Sequence, residues 1–309
     1  MIENSYNDFL KEKIFELFPK KEALAFMEES EKRRPVTIRT NTLISHRKDV
    51  HQKLGSRGVD LDALEWSDVG SVIYNSSVPL GATPEYLAGY YMIQGGPSML
   101  AVANLDLKED LKVVDMCAAP GGKTTYIAAL MNNTGVLYSN DINEDRIVAL
   151  KSNILRMNVQ NCIVTNYDGR KLNVGMVDRV LLDAPCSGTG IISKDPSVKT
   201  SRSKSDLDRT VLMQKELLLH SFDMLKPNGF MVYSTCSVLP KENEEVVSFL
   251  LSKRDNAKVV QVDIDVGKPG FPTFRGKPYH PSMSLTRRIY PHVHNMDGFY
   301  YAKIQKIRK

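Results

Sequence analysis

The sequence is poor in cysteine and has no long apolar run. It contains four cysteines in 309 residues, Cys117, Cys162, Cys186 and Cys236, and no two of them form a C-x-x-C pair. This spacing argues against a zinc knuckle, and so few cysteines in so long a chain argue against a disulfide framework. The longest unbroken apolar run, residues 126–131, has six residues, whereas a membrane span needs about 20. We therefore expect no metal site and no membrane-spanning segment.

The first residues, MIENSYNDFLKEKIFELF, mix acids and lysines among the apolar positions and lack the apolar core of a secretory signal. Internal repeats and low-complexity segments are also absent from the sequence. An apolar content of 42% and a charged content of 25% are ordinary for a globular protein. These observations favour an intracellular, soluble protein.

The net charge of +5 is unevenly distributed. Residues 31–57 contain eight Lys or Arg and two acids, whereas residues 266–296 contain five Lys or Arg and no acid. The second stretch also contains two phenylalanines, two tyrosines and three histidines. Basic residues interleaved with aromatic ones suit a phosphate backbone with unstacked bases. We therefore predict nucleic-acid contacts, specifically RNA-binding, at Arg39, Arg275, Lys277, Arg287 and Arg288.

Strand-like and helix-like segments alternate from about residue 111 onward. LKVVDM, GVLYSND, NCIVTNYD, VDRVLLDAP and GFMVYSTCS read as strands, and segments with helical periodicity separate most of them. Asn143 is the expected N-cap of one helix, and a long helix over residues 205–226 is expected to end at Pro227 and Gly229. Such alternation predicts β-α-β units and a mainly parallel sheet, the α/β class.

Residues 1–95 do not follow this alternation. They contain a short helical start, the first basic stretch and the Gly/Pro-rich segment SVPLGATPEYLAGYYMIQGGP. We predict a small α+β, RNA-binding N-terminal domain at residues 1–95 and a larger domain at residues 96–309, joined near residues 95–97.

Three of the cysteines follow the ends of predicted strands. In parallel sheets the ligand lies outside the carboxyl ends of the strands, so Cys117, Cys186 and Cys236 are expected to share one edge. Cys162 begins a strand instead, and we interpret it as structural.

The segment VVDMCAAPGGKTTYIA places small residues between a strand and a helix N-terminus, where a backbone approaches a ligand closely. It is not a Walker A sequence, because position 117 holds Cys rather than Gly. Asp141 follows the second strand, where an acid accepts from both ribose hydroxyls, and Asp168 follows the third, within reach of an adenine edge. Either carboxylate alone suits a helix cap, but Asp115 and Asp183 are expected at the same edge. Together they favour an adenosine-type ligand.

Three motifs then carry a resemblance. DMCAAPGGKT, LLDAPCSGTG and YSTCSV, in this order, resemble the Nol/Nop/Sun family of S-adenosylmethionine-dependent RNA cytosine-5 methyltransferases. RPVTIRTNTL, GATPEYLAGYYMIQGGPSML and the segment from FRGKPYHPS to NMDGFY resemble its nucleolar proliferation-antigen branch, which acts in assembly of the large ribosomal subunit.

The resemblance implies a Rossmann-like class I methyltransferase domain, with helices on both faces of its sheet, and S-adenosylmethionine as the cofactor. The implied cofactor contacts are Cys117, Ala118, Ala119, Pro120, Gly121, Gly122, Lys123, Asp141, Arg146, Asp168 and Asp183.

Cytosine C5 is a poor nucleophile until a thiolate adds to C6. The reaction therefore requires one attacking thiol and the later release of the covalent adduct. The resemblance assigns attack to Cys236 and release to Cys186. A Pro-Cys nucleophile, as in DNA cytosine methyltransferases, would instead be Cys186, and the residues alone do not choose between them. Lys123 is expected to raise the thiolate fraction, and Asp183 to act as general acid at N3 or N4 of the base.

The expected substrate is large-subunit rRNA, with tRNA as the alternative, and pre-ribosomal proteins are the expected partners. The branch implies the nucleus and nucleolus. A non-catalytic rRNA-binding assembly factor is the alternative of another class, but every motif residue is present. An ATPase is disfavoured by Cys117.

Overall fold

The computed structural model describes residues 2–308 of the chain. A four-stranded sheet is formed by β1 Val36–Thr40, β2 Val59–Ala63, β3 Gly70–Ser76 and β4 Tyr91–Ile93. A nine-stranded sheet is formed by β5 Lys112–Asp115, β6 Val136–Asn140, β7 Cys162–Thr165, β8 Val177–Asp183, β9 Leu225–Thr235, β10 Ala257–Val260, β11 Lys268–Pro269, β14 Arg287–Ile289 and β15 Phe299–Lys306. A short hairpin pairs β12 Thr273–Phe274 with β13 Lys277–Pro278.

The α-helices are α1 Asp8–Leu17, α2 Lys20–Glu31, α3 Arg47–Gly55, α4 Pro84–Leu87, α5 Gly96–Ala103, α6 Gly122–Leu130, α7 Glu144–Arg156, α8 Val198–Ser201, α9 Lys204–Asp223, α10 Glu244–Lys253 and α11 Pro291–His294. Three short 3-10 helices cover Ile2–Ser5, Leu80–Ala82 and Pro281–Leu285. Among residues 2–308, no helix combines the length and the apolar character needed to cross a bilayer.

The large sheet is parallel in its centre. Its main path runs β11-β14-β15-β9-β8-β5-β6-β7, and the pairs among β9, β8, β5, β6 and β7 are parallel. Strand β15 is antiparallel to β9, β10 and β14. Strands separated by helices pair in parallel because the crossover returns the chain in the same direction. This architecture confirms the predicted α/β class.

Neighbouring residues of the central strands point into different cores, as the two-residue period of a strand requires. On β5 and β8, Val114 and Leu182 join a core with α9 and α10, whereas Val113 and Leu181 join a second core with α5 and α6. Both faces of the sheet are therefore covered by helices.

Helices α1 and α2 pack on the large sheet although they precede the small one in the chain. Leu10, Ile14 and Phe26 are fully buried in the same core as Leu218 and Phe222 of α9. The small sheet has its own apolar cluster, which includes Ile38, Ile73 and Val50 of α3. The domain boundary near residue 95 stays a prediction.

Two predicted helix ends have different outcomes. Asn143 caps α7 as predicted, since its side-chain oxygen accepts from the Arg146 backbone N–H at 3.1 Å. Helix α9 ends at Asp223, however, and Pro227 and Gly229 lie inside strand β9. The strand tolerates the proline because its pairing with β8 shifts register at this end, between Val177 and Arg179.

Three arginines predicted to bind RNA are buried. Arg39 is fully buried, donates to Gln94 and Thr125 at 2.7 Å each, and lies 4.7 Å above the Tyr126 ring. Burial lowers the pKa of Arg39 to about 9. Its guanidinium therefore connects the small sheet to α6 and does not face solvent, so the prediction that it contacts RNA is withdrawn.

Arg288 and Arg287 on β14 are bound to carboxylates of the protein. Arg288 is 1% exposed and donates two hydrogen bonds, of 2.6 and 2.8 Å, to the fully buried Glu244. Arg287 is 7% exposed and pairs with Asp265, with one bond of 2.8 Å. Although residues 266–296 contain no acid, both arginines pair with carboxylates elsewhere in the chain. The prediction of RNA contacts at these two residues is therefore also withdrawn.

The other two predicted RNA-binding residues are exposed. Arg275 donates to the backbone carbonyls of Phe15 and Glu16, and Lys277 pairs with Glu245 at 2.7 Å. Their predicted role stays a prediction.

We expect Arg288→Met to lower the free energy of unfolding by about 3–5 kcal/mol, because it leaves the Glu244 carboxylate buried without its partner. Urea unfolding followed by circular dichroism measures this loss. The control is Lys277→Met, which removes an ion pair whose lysine side chain is 56% exposed and should cost at most about 1 kcal/mol. A stability near wild type for Arg288→Met, together with weaker RNA binding, would restore the withdrawn role.

Candidate active site

Four aspartates lie at the carboxyl edge of the parallel strands. Asp115 and Asp183 are the last residues of β5 and β8, Asp141 directly follows β6, and Asp168 comes three residues after β7. Since these strands are neighbours in the order β8-β5-β6-β7, the structure places all four acids along one edge, which the sequence analysis expected.

The loop before α6 is fixed to the second strand by Asp141. This carboxylate is 2% exposed and accepts from the backbone N–H groups of Ala119 at 3.2 Å and Asn143 at 3.0 Å. Gly121 has a φ of +103°, and a Cβ there would lie 3.0 Å from a methyl of Leu150, so glycine is required at this position. The predicted cofactor loop residues Ala118, Pro120 and Gly122 lie in the same turn.

Asp115 lies beneath this loop and is fully buried. It accepts a hydrogen bond of 2.7 Å from Thr124 in the first turn of α6. Burial raises the pKa of Asp115 to about 7, although Thr124 and Lys123 act in the opposite direction. The carboxyl group thus joins the end of β5 to the start of α6.

A small cavity of about 70 Å³ lies beside the loop, lined in part by Cys117, Asp141, Arg146, Asp168 and Pro185. Arg146 donates to the carbonyl of Ala119 and lies 3.5 Å from Asp141. Asp168 accepts from Arg170, and these hydrogen bonds lower the pKa of Asp168 to about 2. The cavity therefore has carboxylates at two positions and a guanidinium at its rim.

Lys123 and Asp183 form an ion pair at the centre of the edge. The Lys123 ammonium donates to Asp183 at 2.7 Å and to Ser98 at 3.1 Å, and Ser234 donates to the other Asp183 oxygen at 2.7 Å. Burial opposes the charge of Lys123, but Asp183, Asp115 and Cys236 together raise its pKa above the ordinary value. A stable positive charge therefore lies close to the Cys236 sulfur.

Cys186 and Cys236 are in direct contact. Their sulfur atoms lie 3.0 Å apart, and both thiols are free. The hydrogen bond to Cys236, burial and the nearby Glu242 raise the pKa of the Cys186 thiol well above its ordinary value. The two thiols therefore share one hydrogen bond, in which either sulfur can be the donor.

The carboxylate of Glu242 holds the turns that carry both thiols. It is fully buried and accepts from the backbone N–H and the hydroxyl of Ser187, at 2.8 and 2.5 Å, and from the hydroxyl of Ser237. Gln214 on α9 adds a fourth donor at 3.2 Å. Ser187 and Ser237 directly follow the two cysteines, so one carboxylate fixes both turns.

The role of Glu242 is not predicted from the sequence. In the segment LPKENEEVV it has the appearance of an acid before a helix N-terminus. The available signal was its position six residues after Cys236 and two residues before α10, next to the polar residues Asn243 and Glu244. The structure shows that Asn243 accepts from Thr235 at 2.6 Å and that Glu244 binds Arg288.

The remaining two cysteines, Cys162 and Cys117, lie outside the thiol pair. Cys162 donates to the hydroxyl of Ser139 at 3.2 Å, and burial raises its pKa to about 11. Burial, followed by the nearby Asp115 and Asp141, raises the pKa of Cys117. Within residues 2–308, no group of three or more His, Cys, Asp or Glu side chains is arranged to hold a metal ion.

The parallel sheet with its antiparallel strand β15, the helices on both faces and the acids at the carboxyl edge define the class of the protein. The fold is the Rossmann-like class I fold of S-adenosylmethionine-dependent methyltransferases. Residues 102–305 match the model of the family described as 16S rRNA methyltransferase RsmB/F, and the chain belongs to this family.

Individual relatives agree with this assignment. The crystal structure of a methyltransferase homolog protein from Pyrococcus horikoshii superposes with a TM-score of 0.90 at 32% identity and covers 99% of both chains. The chain is 53% identical to a 28S rRNA (cytosine-C(5))-methyltransferase from Mus musculus over 98% of its length. It is 52% identical over 98% of its length to a Schizosaccharomyces pombe protein named 25S rRNA (cytosine-C(5))-methyltransferase nop2. The chain spans 39% of the mouse relative and 51% of the yeast one.

We expect Glu242→Gln to loosen both cysteine turns. The amide N–H₂ group cannot accept a hydrogen bond and would face the donors of Ser187, Ser237 and Gln214. The free energy of unfolding should fall by about 1–3 kcal/mol. Diamide should also join Cys186 to Cys236 more slowly than in the wild type, which peptide mass spectrometry of the cross-link measures. Glu245→Gln is the control, since Glu245 binds Lys215 and Lys277 at the surface. Unchanged cross-linking in Glu242→Gln would show that the carboxylate does not set the sulfur separation.

Proposed function

We propose that the protein is an S-adenosylmethionine-dependent RNA cytosine-5 methyltransferase that acts on large-subunit rRNA. The observation that carries the proposal is the pair of thiols 3.0 Å apart, next to the Lys123–Asp183 ion pair. Two adjacent thiols suit a reaction in which one sulfur attacks a base and the other aids its release.

The edge of the sheet fits the proposed cofactor. At the Gly121 turn and the N-terminus of α6, backbone groups lie close to the ligand cavity. Asp141 and Asp168 lie where ribose hydroxyls and an adenine edge would be bound. Residues 117–123, Arg146 and Asp183 complete the proposed contacts. S-adenosylmethionine supplies an electrophilic methyl group when it is bound.

Cys236 is the proposed nucleophile. The attacking species is a thiolate, and Cys236 is the thiol that interacts electrostatically with the Lys123 ammonium, so it is the better candidate. Lys123 stabilises negative charge at Cys236. The sulfur would add to C6 of cytosine, and electron density would move to C5. C5 would then bond to the methyl group as its bond to the sulfonium sulfur breaks, with S-adenosylhomocysteine as the leaving product. Asp183 is proposed to act as general acid at the N3 or N4 edge of the base.

Release requires loss of the C5 proton to a base and cleavage of the bond between C6 and sulfur. The S–H of Cys186 can donate to the departing Cys236 sulfur and so stabilise the thiolate that forms. This is the proposed role of Cys186 in product release.

The proposed substrate rests on the relatives whose printed names specify 28S and 25S rRNA. Pre-ribosomal proteins as partners and a nucleolar location are part of the same proposal.

S-adenosylmethionine should raise the melting temperature by several degrees at a hundred times its Kd, because it binds only the folded protein. ATP should have no comparable effect. Asp168→Ala should reduce the shift while leaving the melting temperature of the free protein nearly unchanged, since its ion pair with Arg170 is partly exposed. Stabilisation by ATP alone would contradict the cofactor assignment.

One experiment with labelled RNA distinguishes the roles of the two cysteines. Cys236→Ala should bind RNA without methylating it, because no adduct can form. Cys186→Ala should attack and methylate but release slowly, and should therefore give a slow band on a denaturing gel. The double variant should lose this band.

A band only in Cys236→Ala would reassign the nucleophile to Cys186. No band in either variant, together with no methyl transfer by the wild type, would favour the non-catalytic assembly factor.

A further inference from the structure

A groove of about 590 Å³ lies between the small sheet and two loops, residues 193–194 and 294–297. Its volume is within the range of small-molecule and nucleotide sites. None of the predicted catalytic or cofactor residues lines it, so the groove is a separate feature of the molecule.

One wall of the groove is aromatic. Tyr74 on β3 is 61% exposed and, by the period of the strand, shares a face with Val72. Trp66, the one tryptophan of the sequence, packs on Gly96, where a Cβ would lie 3.3 Å from the indole ring. A half-buried indole and an exposed phenol ring lining one groove are the kind of side chains on which unpaired bases stack.

The floor of the groove has two polar atoms without partners. Gln94 and Asp297 are 7% and 9% exposed. The Gln94 carbonyl oxygen accepts from Arg39, and one Asp297 oxygen accepts from Lys194 at 2.5 Å. The Gln94 amide nitrogen and the second Asp297 oxygen have no hydrogen-bond partner within residues 2–308. A free donor and a free acceptor on one floor can be satisfied by the edge of a nucleobase.

The charge of the groove favours a phosphate. Arg33 is exposed and has no ion pair or hydrogen bond with any described residue. Lys194 is paired with Asp297, the one acid of the lining, and burial lowers the pKa of His294, so neither residue adds a free positive charge at neutral pH. Arg34 is held by the Glu29 carbonyl and by Asn295, so Arg33 is the free cation of this wall.

The groove lies near the thiol site. Asp297 precedes Gly298, whose N–H donates to the Gly190 carbonyl at 2.7 Å, and the Gly190 N–H donates to the Cys236 carbonyl at 2.8 Å. On the other side, the groove residue Pro97 precedes Ser98, which accepts from Lys123. The groove and the two cysteines are therefore only a few residues apart on two sides, which suits neighbouring nucleotides of one RNA chain.

We propose that this groove binds an unpaired RNA nucleotide next to the target cytosine. Its base stacks on Tyr74 and Trp66, its edge bonds to Gln94 and Asp297, and its phosphate contacts Arg33. The proposal rests on the proposed function, since it places the target base at Cys236, and it names single-stranded RNA as the form that the site accepts.

The test uses a fluorescein-labelled RNA of nine nucleotides with one central cytosine among uridines, and versions with an abasic residue on either side of the cytosine. Because Trp66 is the only tryptophan, its emission should be quenched when a base stacks on it. One of the two abasic versions should bind the wild type about tenfold more weakly. Tyr74→Ala should weaken binding of the complete RNA by a similar factor and should be insensitive to the same abasic residue, since the two changes remove one contact.

Matched variants distinguish RNA binding in the groove from RNA binding elsewhere on the surface. Arg33→Ala should reduce the slope of log K against log salt by about 0.7, the value for one phosphate of a single strand, whereas Lys151→Ala on α7 should leave it unchanged. Tyr167→Ala removes an equally exposed tyrosine, at 60%, and should bind like the wild type.

The outcomes distinguish this proposal from the proposed function. Unchanged Trp66 emission at saturating RNA, equal quenching by an RNA duplex, or equal binding by the Tyr74 and Tyr167 variants would each overturn the groove assignment, even if the wild type methylates RNA. Conversely, quenching of Trp66 emission that depends on Tyr74, without methyl transfer to any RNA, would support the proposal that the groove binds RNA and would contradict the proposed methyltransferase activity.

Discussion

The geometry of the site depends on one buried carboxylate. Burying the charge of Glu242 costs several kcal/mol unless donors replace the lost water, and here four donors surround it. Two of its donor residues, Ser187 and Ser237, follow the two cysteines in the chain. The turns therefore cannot separate without exposing an unsatisfied charge inside the protein. Asn243 and Glu244 extend this constraint to strands β9 and β14, so three consecutive side chains connect the thiol turns to the rest of the large sheet.

The fold and the carboxyl edge were predictable because their signals are local. Alternating apolar segments define parallel strands, and a residue at a strand end must lie at the sheet edge, whatever its neighbours are. Asp115, Asp141, Asp183 and the two thiols follow this rule. The end of α9 was predicted wrongly. The helix ends at Asp223, and Pro227 and Gly229 lie in strand β9, where the pairing with β8 shifts register. Glu242 was missed because two of its three partner residues, Ser187 and Gln214, lie 55 and 28 residues away along the chain.

The basic stretches show the limit of reasoning from charge. A count of lysines and arginines does not reveal whether each is paired. Arg288 and Glu244 are 44 residues apart, and Arg39 binds Gln94 and Thr125, 55 and 86 residues away. Composition located the stretch that contains Arg33, but only tertiary structure separates a free guanidinium from a buried one. Arg39 has a further consequence, since its bond to Thr125 ties the small sheet to the helix that follows the cofactor loop.

The position of β15 governs when this protein can fold during its synthesis. Residues 299–306 form the last strand of the chain order, yet they pair with β9, β10 and β14 inside the sheet. While the ribosome is still translating the earlier part, the parallel strands have an open edge and the apolar faces of α1 and α2 lack part of their core. Until residues 299–306 have been synthesised, the nascent chain therefore has an unfinished sheet, whose open edge can pair with other chains.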